Sequence, residues 1–384
     1  MPDGPRRGPL YKILPQRDWD DAGAVVPWAE IDRADGFVHL SAAHQVRETA
    51  AKHFAGRPNL CILEVDPGRL EAGTLRWEVS RGNDRFPHVH GDIGREAVVG
   101  AEPLPERDGR HTFSMHVPEP VVDTPLPEVL ALRLERAEAG ALLALAHAAR
   151  RLAADPPLLH TVGSAVAAGF GPQSPINGVK GWGLDGVPSG EALEALTGVF
   201  GAAEFAVEVC SHAHPDTLAL LAAHGYAATA TENVLWRRVS DEGSSPSAVT
   251  LEATKPGEGE AWGEMLVRGF TDGAPVPDDL ARIGPLTPAQ ARTDTFFIVA
   301  DDVRVGVCGL RYDHEVAMMV GSSVLREYRG RGHHRAAIEL RLARAHQAGC
   351  RVAKFDVQPG SASHRNAHRC GFSLSHTRTA FVKR

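Results

Sequence analysis

Arg329-Gly330-Arg331-Gly332-His333-His334-Arg335 sets three arginines and two glycines within seven residues. Arginine carries fixed positive charge in a planar fork that matches phosphate oxygens, and glycine lets the backbone approach an anion closely. The apolar run Met318–Val324 before it reads as a strand, and Ile338, Leu340, Leu342 and Ala345 after it start an amphipathic helix. A strand, a basic glycine turn and a helix start together can hold a pyrophosphate. The first helical N–H groups have no intrahelical partner, and the helix dipole adds roughly half a positive charge there. No Gly-Lys-Ser/Thr follows and the glycine spacing is not that of a dinucleotide fold, so neither a Walker loop nor a Rossmann fingerprint is read here.

A second group of chemically capable residues lies near the start. His39 and Ser41, two apart on a strand, share one face with Phe37, while Val38 and Leu40 take the other. Glu78 lies on a further short strand, Leu75–Val79, and suits a base or a partner for a ribose hydroxyl. His88 sits in the loop Arg85–Gly91. His88-x-His90 has strand-like metal spacing, but two imidazoles without a third ligand do not make a zinc site. The same holds for His212-x-His214 and for His333-His334. Cys61, Cys210, Cys308, Cys350 and Cys370 are scattered, with no C-x-x-C, so no metal and no disulfide framework is expected.

The elements that must position these residues follow from pattern. After the basic turn and its helix, Ala353–Gln358 reads as the next strand, and Ser361–Cys370 as a helix that Gly371 caps before Phe372. The 384 residues predict two or three domains. With 43% hydrophobic and 23% charged residues the composition is that of a globular protein. A net charge of −7 argues against a nucleic-acid or anionic-membrane surface. No apolar run approaches the roughly 20 residues that span a bilayer. The basic N-terminus lacks the apolar core of a signal peptide. A reducing cytoplasm is the expected setting.

Two weak spots divide the chain: the proline-rich Val117–Pro127 and the polar Ser240–Ser247. They leave segments 1–117, 125–239 and 248–384. The last two look like a diverged repeat. In each, a strand (Ala206–Cys210; Phe355–Gln358) leads to a helix ending in Gly-aromatic (Gly225-Tyr226; Gly371-Phe372) and then to a closing strand (Glu232–Trp236; Thr379–Val382). The middle copy opens with a helix over Glu128–Ala153. It has Gly186-Val-Pro-Ser-Gly190 in place of the basic turn, without a cation, so it is not expected to hold a pyrophosphate.

The motif around Arg329 and Gly332, with the strand before it and Gly371-Phe372 after it, resembles the signature of the GNAT superfamily of acyl-CoA N-acyltransferases. The resemblance covers about the last 60 residues. It implies a mixed α/β fold, here a tandem with a degenerate first half, and acetyl-CoA as co-substrate. Carried over residue by residue, it places Ser323, Val324 and Leu325 along the pantetheine and acetyl group. Arg329, Gly330, Arg331, Gly332, His333, His334 and Arg335 fall on the pyrophosphate, and Ser363 and Asn366 beside the cofactor. His334 stands where the family usually has Gly or Ala. The Tyr that often protonates the leaving thiolate falls at Ala367, so Asn366, Ser363 or His364 are the substitutes. Glu315, with Asp313 and His314, is a candidate base, although Tyr312–Glu315 also reads as a plain polar hairpin turn.

Residues 10–113 are similar to a small bacterial family of unknown function with Tyr-Lys-Ile, Asp-Gly-Phe-Ile-His-Leu-Ser, Leu-x-Trp-Glu and Phe-Pro-His motifs. That family is grouped with the ADP-ribosyltransferase-like fold, which implies a small α+β domain with its site near His39, Ser41, Glu78 and His88. Three readings follow. One is an acetyl-CoA-dependent N-acetyltransferase acting on a small-molecule or peptide amine. Another is a CoA-binding sensor without catalysis. The third puts an NAD- or nucleotide-binding activity in the N-terminal segment, with the GNAT part accessory.

Overall fold

Leu60-Cys-Ile-Leu-Glu-Val65 is apolar on both faces, and a strand buried on both sides is what such a run requires. A computed structural model of the chain describes residues 9–80, 85–107, 110–111, 113, 127–152, 157–172, 174–240, 249–272 and 282–383. The two weak spots of the sequence fall almost wholly outside them. By contacts the chain divides into two compact units, one of Met1–Asp123 and Gln347–Cys350, the other of Thr124–His346 and Arg351–Arg384. The second and third sequence segments therefore share a unit.

In the first unit, β1 (Leu10–Pro15), β2 (Val38–His39), β3 (Ser41–Ala42), β4 (Leu60–Val65), β5 (Leu75–Val79), β6 (Arg85–Val89) and β7 (Val98–Leu104) form two sheets, ordered β3-β1-β4-β7 and β2-β6-β5. The short strands β8 (Glu106–Arg107) and β9 (Arg110–His111) pair with each other. Among the described residues of the unit are three α-helices, α1 (Gln16–Asp20), α2 (Glu30–Asp35) and α3 (Ala43–His53). Alternate residues of one strand enter two cores. Leu10, Leu14, Cys61 and Leu63 join Trp77 and Val89, while Ile13, Leu60 and Ile62 pack under Val46 and Ala50 of α3.

The second unit is built on one sheet of eleven strands. They are β10 (Leu158–Val162), β11 (Ala165–Gly169), β12 (Gly178–Lys180), β13 (Ala206–Cys210), β14 (Tyr226–Arg238), β15 (Thr250–Ala253), β16 (Thr293–Ala300), β17 (Val303–Asp313), β18 (Val316–Val324), β19 (Val352–Val357) and β20 (Ser373–Lys383). Its helices are α4 (Pro127–Leu152), α5 (Gly190–Thr197), α6 (Asp216–Ala223), α7 (Gly259–Thr271), α8 (His333–Gln347) and α9 (Ala362–Arg369).

The spatial order of the strands is β10-β11-β12-β13-β20-β14-β19-β18-β17-β16-β15. Each half thus gives its last strand to the other. β13 pairs with β20 (Val209↔Thr379), not with its successor β14, and β19 pairs with β14 (Leu235↔Phe355). One hydrophobic and hydrogen-bonded layer runs through both halves. Among the described residues no helix is long and apolar enough to cross a membrane.

On one face, α4 lies across the sheet, burying Leu130, Leu134, Glu135, Leu142 and Ala146. Glu135 meets charge that arrives from the strands. Its carboxylate accepts from Arg378 Nη2 at 2.7 Å and Nε at 3.1 Å, and pairs with His376 Nε2 at 2.8 Å. Burial alone would raise its pKa, but the Arg378 guanidinium and the His376 bond outweigh that and bring it down to about 2. One turn on, Glu138 accepts from Lys180 of β12 and Lys354 of β19, both at 2.7 Å.

Candidate functional site

A break in regular pairing makes the centre of this site. β17 and β18 pair as Gly306↔Val324 and Val307↔Ser323, then resume at Gly309↔Val320, so Gly321 and Ser322 bulge opposite Cys308. Gly321 has φ +47°, and a Cβ there would come within 2.7 Å of the fully buried Trp262 of α7. Only glycine fits both the dihedral and the space. Ser323 is buried and donates from Oγ to the Met265 carbonyl at 3.3 Å.

Beside the bulge the sheet opens. The parallel pairing of β18 with β19 ends at Met318↔Lys354, while β18 runs on to Val324 and β19 to Val357. The unpaired backbone groups of these strands border a cleft level with the bulge.

The basic turn follows directly. Gly330 (φ +79°) and Gly332 (φ +83°) have open space where a Cβ would stand. In α8 the Ala336 amide donates to the Gly332 carbonyl at 3.0 Å, so the amides just before it project from the helix end without helical partners. Arg331 and Arg335 are exposed at this end, Arg331 reaching the Glu327 carbonyl at 3.3 Å and Arg335 pairing with Glu339 at 3.0 Å. Arg329 serves otherwise. Its guanidinium donates to the carbonyls of Val324 (3.0 Å) and Gly269 and pairs with Asp272 at 2.6 Å. It fastens the end of β18 to the end of α7, which corrects its expected place on the pyrophosphate.

His333 is buried, with Nδ1 lacking a hydrogen-bond partner. His334 turns toward β19, its ring 6.2 Å from that of Phe355. Its Nδ1 lies 3.2 Å from Asn366 Nδ2, whose Oδ1 accepts from Arg369 Nη1 at 3.2 Å. The amide therefore donates to Nδ1 and leaves the imidazole proton on Nε2. Burial, and next the Arg341 charge, push the His334 pKa down to about 4, so it is a neutral donor near pH 7. Asn366 and Ser363 both lie on α9, capped by Ser361 Oγ on the His364 amide at 3.1 Å. Ala367 is fully buried, where a tyrosine hydroxyl was sought.

Glu315 does not reach this centre. It precedes β18 and is ion-paired with Arg133 of α4 at 3.4 Å. At roughly 3.3 Å per residue, six positions separate it from Gly321 by about 20 Å along the strand. With His314 at φ +50°, the segment is the hairpin turn between β17 and β18. In the first half, Asp185, directly before the Gly186–Gly190 stretch, accepts from the Ser164 amide and hydroxyl, both at 2.5 Å, and pairs with Arg136 at 3.7 Å.

In the first unit, β2 and β6 pair with His39 directly opposite His88. Asp32 Oδ1 accepts from the His39 amide (3.0 Å) and lies 2.9 Å from its Nδ1, while Oδ2 takes Lys12 Nζ at 2.5 Å. Burial would raise Asp32, yet the His39 bond and the Lys12 charge hold it well below the usual carboxylate range. Glu78 Oε2 meets His88 Nδ1 at 2.8 Å and His90 Nε2 at 3.1 Å. Burial pushes His88 down, and the bond from His88 pulls Glu78 down. Phe37 stacks on His88 with centroids 4.2 Å apart and lies 4.7 Å from His39. Two imidazoles, each oriented by a carboxylate, are suited to proton transfer. Ser41 is not among them. It belongs to β3 in the other sheet, and its hydroxyl donates to Thr49 at 3.1 Å.

One group among the described residues has three metal-type ligands close together: Glu135, Cys210 and His376. The Arg378 guanidinium on Glu135 and a Cys210 thiol pushed up to about 12, first by burial, rule against a cation.

Sequence reasoning missed the charged belt under α4. Its members come from six elements, and the signal was a charge at every second strand position, as in Lys354-Phe-Asp356 and His376-Thr-Arg378.

Two family models match parts of the chain. Residues 261–372 match the model of the Acetyltransferase (GNAT) family, and residues 13–101 match that of a protein family of unknown function, DUF952. No curated protein matches the chain. Among solved structures, protein CC0527 from Caulobacter crescentus is 39% identical over 28% of this chain and 97% of its own, with a TM-score of 0.27. A GCN5-related N-acetyltransferase from Kribbella flavida is 20% identical over 66% of this chain and 95% of its own, with a TM-score of 0.49. One from Sphaerobacter thermophilus is 17% identical over 67% and 93%, with a TM-score of 0.41. The chain carries a DUF952 domain followed by an acetyltransferase domain of the GNAT family.

Proposed function

We propose that the second unit transfers an acetyl group from acetyl-CoA to an amine. The observation that carries this reading is the succession of the β18 bulge, the parting of β18 from β19 at its level, and the open glycine turn that leads from β18 into α8. The diphosphate of the cofactor fits the projecting amides of that turn, with Arg331 and Arg335 at its edge. The acetyl carbonyl fits the freed N–H groups of β18, where losing one oxyanion donor costs on the order of 100-fold in rate. Ala367 offers no acid, so the thiolate takes its proton from the attacking nitrogen or from water. The setting is a reducing compartment such as the cytoplasm, which suits five free, buried cysteines.

Titration calorimetry with acetyl-CoA, paired with thiol release in the presence of amines, tests the reading. We expect micromolar binding by the intact chain and its loss in Gly332→Val. Unchanged binding in that variant would move the cofactor off this turn. The buried Ala367 favours a second reading, acetyl-CoA binding without turnover. Binding with no thiol release across alkyl- and arylamines would select it.

A further inference from the structure

The base for this reaction is missing from β17 and β18, and the exchange of last strands points elsewhere. Beyond Met318↔Lys354, three more residues along each strand bring Gly321 level with Val357, and Val357 pairs with Asn233 of β14. The strand flanking the cleft on the side away from the bulge is β19, and behind it lies β14, which belongs to the first half. Paired residues share a face, so Asp356 and Glu232, each one position from the Asn233↔Val357 pair, project to the face that carries α4. The ion pairs agree. Arg378 Nη1 lies 3.0 Å from Asp356, 3.5 Å from Glu208 and 3.7 Å from Glu232. Three carboxylates from three strands thus converge on Nη1 of a guanidinium whose Nη2 and Nε are already held by Glu135.

We propose that Glu232, carried into the second half by the exchanged strand β14, is the general base of the acetyl transfer, and that the acceptor is an alkylamine that arrives as its ammonium ion. The proposal rests on the reading of the cleft as the acetyl-CoA site. Asp356 is the poorer base, because Lys354 at 2.5 Å and Arg378 at 3.0 Å both bind it. Among the described residues Glu232 has only the longer Arg378 contact as an ion pair, and its side chain is 44% exposed. Its pKa is raised, by burial first and then by the charges of Asp356 and Glu208, which is the direction a base for an ammonium needs. Around it, Glu135, Glu138, Glu208, Glu232 and Asp356 face Lys180, Lys354 and Arg378, five carboxylates against three cations, with the titratable His376 on Glu135. Unmatched negative charge of this kind attracts an ammonium and gives a neutral arylamine nothing.

The step balances. The Glu232 carboxylate takes one proton from the ammonium and later releases it to solvent. The freed nitrogen lone pair forms the C–N bond to the thioester carbon as the C–S bond breaks. A second N–H proton goes to the departing sulfur, giving amide and free thiol.

The test uses the intact chain with acetyl-CoA and four alkylamines (putrescine, spermidine, lysine and 2-phenylethylamine), with aniline as the neutral contrast. Thiol release and acetyl-CoA calorimetry are read in parallel. Glu232→Gln is expected to lower kcat for the best alkylamine by about 100-fold or more, to remove the acid limb of the pH profile, and to leave acetyl-CoA affinity within about twofold. Glu232→Asp should recover part of the rate. Wild-type turnover by Glu232→Gln overturns the proposal, as does aniline acetylated as fast as the alkylamines. Tight acetyl-CoA binding with no alkylamine acetylated overturns it too, while leaving the cofactor site in place. Failure of acetyl-CoA to bind sinks the reading of the cleft itself, and the base falls with it.

Discussion

Arg329 and Arg331, two residues apart in one motif, have different roles, and substitution should separate them. Arg329 braces β18 to α7 through two carbonyls and Asp272, so Arg329→Ala should lower the melting temperature as well as cofactor affinity. Arg331 has its charge at the open turn, and a charge-assisted contact is worth about 1.5–3 kcal/mol. Arg331→Ala should therefore weaken acetyl-CoA binding at least about tenfold with the melting temperature unchanged. Calorimetry and thermal melts of the two variants decide this, and identical profiles would refute the division of roles. The His334–Asn366 pair gives another prediction. A folded pKa of about 4, below the ordinary 6.5, makes the neutral imidazole the form that the fold prefers. Its contribution to stability is present above about pH 6.5 and is lost as pH falls through the folded value near 4. Asn366→Ala should leave the His334 pKa well below 6.5, since burial and not the hydrogen bond is the main cause. An imidazole NMR titration in that variant returning an ordinary value would assign the shift to Asn366 instead.

At the scale of elements, α4 and β20 are joined by a buried ion network that has no apolar substitute nearby. Removing one partner leaves the others charged and unpaired, which costs about 3–5 kcal/mol. Glu135→Ala should lose that much in denaturant unfolding, far more than substitution of an exposed carboxylate such as Glu128. The pH dependence has a definite sign. Glu135 is depressed to about 2, so its contribution is complete above the ordinary carboxylate value near 4.5 and disappears as pH falls through about 2. Acid unfolding of the wild type in that window should become shallower in the variant.

Much of this level was legible in the sequence. The strand, basic turn and helix at 318–345 have periodicities and glycines that allow one reading, and Phe37 lies on the His39 face as alternation requires. The pairing of β20 with β13 was not legible, because register between strands some 170 positions apart leaves no local mark. Arg329 was misplaced for a related reason. A guanidinium that caps carbonyls and one that awaits a phosphate look alike in sequence, and only the nearby end of α7 distinguishes them. Ser41 was grouped with His39 because the change of sheet after Leu40 has no signal in residue type.

The whole molecule follows the two compact units. The first closes its own cores within residues 10–104, so a fragment of residues 1–117 should fold alone and melt cooperatively. In the second unit, deleting 125–239 should leave β19 and β20 without β14 between them and expose both edges to aggregation. A soluble, active 248–384 fragment would show that the last half re-pairs its own strand.

The exchange of last strands also sets a timetable. Among the described residues β20 is the last strand in chain order, yet it lies in the middle of the eleven-stranded sheet and joins β13 to β14. During synthesis every other strand of the second unit emerges while the place between β13 and β14 is still empty. N-terminal domains commonly fold as they are made, and the first unit can do so here. The acetyltransferase unit cannot close until β20 has been made. Its two halves wait as open sheets for the eleven residues of β20, and a nascent chain that stalls short of that strand has no native state to reach.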